Sequence, residues 1–283
     1  MKPFFPPDRQ VTAVTHGQAT FELPVLYFRD DAFVVFYTAD PGKIRDILPS
    51  DNLHPVLLPG RRSLVGLAAF NYTETTIGSY GEIGMIVPVV YGPKPPPVLL
   101  PVVLESRFPG FGALVLHLPV TKTLARDAGR GEWGYTKFIA DMHFTITPEF
   151  MECCMMDGNH HILTMHVRRK GIILRDKKPL ITYSVRNGDL IRTVIPQTGA
   201  YRQAITPPDT HVDFGDHPMA DTFRALEPGS RPLLSRYYVE RAAILPKGEV
   251  IESNVRPLDG YAGQNREGAH KISFLEATAE PAR

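Results

Sequence analysis

The chain has little with which to brace itself covalently: two cysteines in 283 residues, and those two, Cys153 and Cys154, are adjacent. A disulfide between neighbours is strained and closes almost no loop, so both are expected as free thiols in a reducing compartment. An excess of either charge is also lacking. Lys and Arg number 31 against 30 Asp and Glu, a formal net charge of +1, which excludes an extended basic surface and hence a nucleic-acid partner. No apolar run approaches the roughly 20 residues that span a bilayer, and Met1-Lys2-Pro3-Phe4-Phe5-Pro6-Pro7 has prolines where a signal peptide needs its apolar stretch. The expectation is a cytoplasmic protein with no membrane partner. There is no Gly-x-Gly-x-x-Gly turn leading from a strand into a helix, no P-loop, no Gly-x-Ser-x-Gly and no Cys-x-x-Cys, which argues against dinucleotide and nucleoside-triphosphate chemistry. No cofactor is expected. His160, His161 and His166 cluster, but their spacing on a strand separates them, so no metal site is expected either.

What is present reads as strand. Hydrophobic residues at 43% and charged residues at 22% describe a globular chain. Residues 1–23 have no periodicity and scattered prolines and glycines, which predicts an irregular arm suited to docking on a neighbouring subunit. Asp31 to Thr38, Pro55 to Leu58, Ser63 to Thr73, Glu82 to Tyr91, Phe111 to Val120, Phe138 to Thr147 and four short runs between His161 and Ile195 have strand composition, as does Tyr237 to Leu245. Asp40-Pro41 starts a short helix that Pro49 ends; Lys122 to Ala128 is a second helix with Gly129 as its cap, and Pro218 to Leu226 a third. The proline-rich run from Gly92 to Pro101 is a surface connection or an oligomer contact. The pattern predicts a mainly antiparallel β (α+β) protein, barrel-like or cone-shaped, with a few short helices. One domain is expected over residues 24–252, followed by a polar tail over 253–283, loosely ordered or wrapped on a partner.

The chemistry concentrates in Gly131-Glu132-Trp133-Gly134-Tyr135-Thr136-Lys137-Phe138. A free lysine amine, with a pKa of about 10.4, is almost wholly protonated at neutral pH. Apolar surroundings disfavour the ammonium and free the nucleophile, and Trp133, Tyr135, Phe138 and Ile139 are suited to provide them.

This run resembles the acetoacetate decarboxylase family pattern, in which an acidic residue and Trp-Gly-aromatic-Pro lead into a Schiff-base lysine. Similarity extends to Phe36-Tyr37-Thr38-Ala39-Asp40-Pro41, to Gly78-Ser79-Tyr80-Gly81-Glu82, to Phe214-Gly215-Asp216-His217-Pro218-Met219-Ala220 and to Ala243-Ile244-Leu245-Pro246-Lys247-Gly248-Glu249-Val250, in the family's order. The resemblance implies a cone-shaped antiparallel fold, a homo-oligomer and a keto acid substrate. It implies a lysine activated by desolvation or a neighbouring cation, the established device of acetoacetate decarboxylase itself. By the same resemblance Lys137 is the imine-forming residue, Glu82 the acid–base partner, Arg29 the substrate-carboxylate ligand, and Tyr80 a pocket residue beside Trp133 and Tyr135. Without the resemblance, Arg29 reads equally as an ion-pair partner of Glu22, Asp30 or Asp31, and Glu82 as a turn residue.

Three departures bear on the reaction. Phe138 stands where the decarboxylases commonly have a second lysine, Thr136 replaces the proline, and a second acidic residue expected on the third strand falls near Leu67. Three outcomes remain open: decarboxylation of a β-keto acid, an imine-dependent aldol or dehydration reaction of a pyruvate-like acid, and ligand binding without turnover.

Overall fold

A computed structural model describes residues 4–176, 178–258 and 260–263. Of the irregular arm expected over residues 1–23, residues 4–11 have no regular structure, but 12–23 form a hairpin of β1 (Thr12–His16) and β2 (Ala19–Leu23). β3 (Val25–Ala39) leads to helix α1 (Pro41–Ile47), which starts and stops where its sequence directs. Asp40 accepts hydrogen bonds from the amides of Gly42 at 2.7 Å and Lys43 at 3.0 Å, and Leu48 turns extended ahead of Pro49. β4 (Leu53–Pro55), β5 (Ser63–Thr75) and β6 (Tyr80–Tyr91) follow, then α2 (Leu100–Val103), β7 (Phe111–His117) and α3 (Thr123–Ala128). Beyond the lysine segment come β8 (Asp141–Ile146), β9 (Phe150–Asp157), β10 (His160–Arg168), β11 (Ile172–Asp176), β12 (Leu180–Arg186), β13 (Asp189–Ile195), β14 (Gln197–Ile205) and β15 (His211–Phe214). Helix α4 (Pro218–Ala225), β16 (Leu234–Leu245) and β17 (Glu249–Ser253) end the regular structure of the described residues. β9 escapes sequence reading because its Met and Cys residues carry little strand signal; they are core filling on a strand.

Most strands join one large sheet in the order β11-β14-β16-β3-β5-β6-β7-β12-β13-β17, with β4 on β6. All its pairs are antiparallel except β7 with β12. The fold is therefore mainly antiparallel α+β, but the sheet does not close into a barrel. A second sheet, β15-β10-β9-β8, packs on one face. Strand alternation sorts the residues of the large sheet between two cores. Val65, Leu67, Ala69, Ile83, Met85 and Val87 meet Met151, Met155, Ile162 and Met165 of the second sheet. The opposite face carries Tyr72, Tyr80, Val115 and Leu118, closed over by Phe21 and Leu23 of the hairpin, Ala125 and Ala128 of α3, and Trp133 and Tyr135.

The expected tail begins inside this structure. Val255, Leu258 and Tyr261 belong to the first core, and the Tyr261 hydroxyl donates to Asp157 Oδ2 at 2.6 Å. Residues 264–283 lie outside the described residues.

Candidate active site

Lys137 is carried by an irregular segment that its glycines make possible. Gly129, expected as the cap of α3, has helical angles (φ −64°, ψ −42°), so the helix runs on through a wider π turn, Gly129–Trp133. Gly134 ends it. With φ +68° it lies in the left-handed region, and the Tyr135 amide closes back on the Gly129 carbonyl at 3.1 Å. From there the chain runs extended beside 116–120, held by Leu118 N to Thr136 O at 3.0 Å and Val120 N to Phe138 O at 2.9 Å. Extension gives alternation. Trp133, Tyr135 and Lys137 face the second core, whereas the Thr136 hydroxyl donates to the Leu116 carbonyl at 2.5 Å and Phe138 stacks on His217 in the first. Position 138 therefore points away from the amine, and the identity of its side chain does not set the charge around Lys137.

Gly129-Arg130-Gly131-Glu132-Trp133-Gly134 has the spacing of a dinucleotide-binding turn, but it follows a helix and its glycines serve other ends. A Cβ on Gly129 would lie 2.2 Å from Lys137 Cε, and one on Gly131 2.4 Å from His16 Cβ. Glu132 is buried and bonds His16 Nε2 at 2.8 Å, which ties the hairpin to the lysine segment. Trp133 Nε1 donates to the Pro246 carbonyl at 2.8 Å, and Arg130 Nε donates to the Lys137 carbonyl at 2.7 Å.

The second core contains a cavity of about 110 Å³ with walls that are mostly aliphatic and aromatic. Lys137, Glu82, Tyr80, Trp133 and Tyr135 all line it. Lys137 is 4% exposed; its amine donates to Glu82 Oε2, and the Tyr72 hydroxyl donates to the other oxygen, Oε1, at 3.2 Å. Burial pulls the Lys137 pKa below the ordinary lysine value, while Glu82 pulls it up; burial is the stronger effect. The hydroxyls of Tyr27 and Tyr80 bond each other at 2.9 Å, and burial raises both pKa values well above the usual phenol value, so both remain neutral donors. Burial pushes Tyr135 up to about 12; its hydroxyl bonds Thr182 Oγ1 at 2.8 Å.

Arg29 is placed elsewhere. Alternation from Tyr27 aims residue 29 into the cavity, but the β3–β5 register shifts on both sides of Arg29, turning Arg29 outward and Asp30 inward. Asp30 pairs with Arg241 of β16, and it is Arg241 that reaches the cavity wall. Leu67 likewise faces the first core, while its neighbours Ala68, Phe70 and Tyr72 line the cavity. Tyr27, Tyr72, Thr182 and Arg241 are polar wall residues that sequence reading misses; inward alternation on β5 could have indicated Tyr72.

This constellation accompanies a family match. The family model for acetoacetate decarboxylase matches residues 11–255. The chain belongs to the acetoacetate decarboxylase family. No curated protein sequence matches it. Among solved structures it is similar to acetoacetate decarboxylase from Legionella pneumophila, at 19% identity and TM-score 0.63, covering 88% of this chain and 93% of that one. It is also similar to the enduracididine biosynthesis enzyme MppR complexed with pyruvate, at 13% identity and TM-score 0.58, covering 81% and 91%. A third is an acetoacetate decarboxylase-like enzyme from Sphingomonas wittichii RW1, at 12% identity and TM-score 0.57, covering 81% and 94%. At these identities the structural likeness speaks for the shared fold of the family.

Proposed function

We propose that the protein is a carbon–carbon lyase that decarboxylates a β-keto acid through an imine on Lys137. The observation that carries this reading is a lysine amine buried in an apolar cavity with one carboxylate, Glu82, against it. Glu82 accepts the proton that leaves Lys137, and the neutral amine adds to the substrate ketone. Loss of water gives the imine. Protonated, it draws in the electron pair released as the carboxylate departs as carbon dioxide, and the resulting enamine takes a proton at carbon from the acid form of Glu82. Trp133, Tyr135 and Tyr80 keep water from the reacting atoms.

Borohydride treatment of the protein with acetoacetate and longer β-keto acids, followed by mass spectrometry, should place a reduced adduct on Lys137, with carbon dioxide evolved in its absence. A protein that forms no adduct with any of these acids would refute the reading. The same imine also supports condensation or dehydration of a pyruvate-like acid, a reading favoured by Glu82 being the one carboxylate that lines the cavity among the described residues. A Lys137 adduct formed without carbon dioxide would select that reading. Binding without turnover would instead leave ligand-induced stabilisation intact in Lys137→Ala. A homo-oligomer in the cytoplasm completes the proposal; light scattering after size exclusion reads its assembly.

A further inference from the structure

Lys137 and Glu82 satisfy each other, and the one further cation on the cavity wall among the described residues is Arg241. Its Nη1 donates to Asp30 Oδ2 at 2.5 Å, and its guanidinium lies 5.1 Å from the Phe70 ring centre and 5.6 Å from that of Tyr238. The pairing is single. Asp30 Oδ1 is buried without a partner, and the guanidinium makes no second hydrogen bond among the described residues. A two-point pair would use one whole edge of the guanidinium; with a single bond to Asp30, four of its five N–H groups make no hydrogen bond among the described residues. The wall connects it to the nucleophile. Phe70 stacks on Tyr72 with rings 5.4 Å apart and 3° from parallel, and Tyr72 bonds Glu82, so an aromatic strip joins the cation to the lysine pair.

We propose that Arg241 recognises the substrate carboxylate with the unfilled edge of its guanidinium, selecting keto acids over neutral ketones. Asp30 holds the guanidinium in place by one bond and leaves that edge free. The proposal rests on the imine reading of Lys137, and the residue differs from the surface Arg29 to which the family resemblance assigns the role.

The test compares acetoacetate with acetoacetamide, a neutral molecule of the same shape. A lost charge-assisted bond is worth about ten- to hundredfold. Borohydride-trapped adduct on Lys137 should therefore favour acetoacetate by at least about tenfold in the wild type. It should show no preference in Asp30→Asn/Arg241→Gln, which removes both charges together. Arg241→Lys keeps the pair with Asp30 and should retain only part of the preference; it decides the question if the double variant does not fold. A wild type without preference, or variants that keep it in full, would overturn the proposal and mark Arg241 as a structural ion pair. If the wild type forms no adduct with either compound, the longer β-keto acids decide the imine reading, and thermal stabilisation by acetoacetate and acetoacetamide tests Arg241 by itself. Stabilisation by acetoacetate alone, lost in the double variant, supports it; equal responses overturn it.

Discussion

Replacing Gly129 by alanine separates the position of the lysine from the stability of the fold. Gly129 already has helical angles, so alanine meets no backbone strain there, and the exchange gains about 0.5–1 kcal/mol in helical preference. The new methyl, however, would sit 2.2 Å from Lys137 Cε and 2.4 Å from Cδ. Carbon atoms pack at about 3.5–4.0 Å, so the end of the lysine must retreat by roughly 1.5 Å, carrying Nζ away from Glu82. Overpacking costs about 1–3 kcal/mol, at the lower end here because the displaced atoms belong to a flexible side chain, so the helical gain offsets most of it and leaves a net loss of no more than about 0.5 kcal/mol. A reacting atom misplaced by about 1 Å costs on the order of a hundredfold in rate. We therefore expect Gly129→Ala to form the Lys137 adduct about a hundredfold more slowly, with Tm lowered by less than about 2 °C. Gly134→Ala should behave in the opposite sense, because its φ of +68° and a methyl 2.5 Å from the Val185 carbonyl oxygen strain the backbone itself. Adduct kinetics with borohydride and thermal denaturation of both variants read the two effects. Wild-type adduct formation by a folded Gly129→Ala would refute the placement of Lys137 as the nucleophile.

Three further outcomes follow from the same geometry. Burial holds the Lys137 pKa below 10.5, and the neutral amine is the reactive form, so adduct formation should rise with pH along a limb centred below 10.5; a midpoint at the ordinary lysine value would contradict the buried amine. Tyr72→Phe removes the donor to Glu82 Oε1 and should lower kcat by about ten- to hundredfold while leaving the adduct detectable; an unchanged kcat would show that Glu82 needs no such anchor. His117, buried with its Nε2 3.0 Å from Thr222 Oγ1, has its pKa lowered from 6.5 to about 3, chiefly by burial and then by His217. Its contribution is full above pH 6.5, where folded and unfolded chains both leave it neutral. Below that only the unfolded chain takes up the proton, so stability should fall by up to about 1.4 kcal/mol per pH unit between 6.5 and about 3. Denaturant midpoints across that range should lose this slope in His117→Gln, and a variant that keeps it would assign the slope to other groups.

The divide between what the sequence discloses and what it conceals follows the reach of each interaction. Asp40-Pro41 specifies a cap through bonds two and three residues away, and the Lys137 run specifies its aromatic setting through residues on the same segment. Alternation extends this reach along a strand, placing Ala68, Phe70 and Tyr72 together, provided the register is uniform. On β3 it is not. One irregularity at Arg29 exchanges inward and outward faces, so the residue expected to touch a carboxylate faces solvent while Asp30 turns in to meet Arg241. Nothing within a few residues of Arg29 signals that exchange, because a bulge is a relation between two strands. The same holds for Gly129, which reads as a helix cap from its neighbours and as the space for a lysine only once residue 137 has folded back beside it. A cation displaced from one strand to another can preserve a site's charge while erasing the local pattern that announced it, and for this cavity the charge to be tested is therefore the one at Arg241.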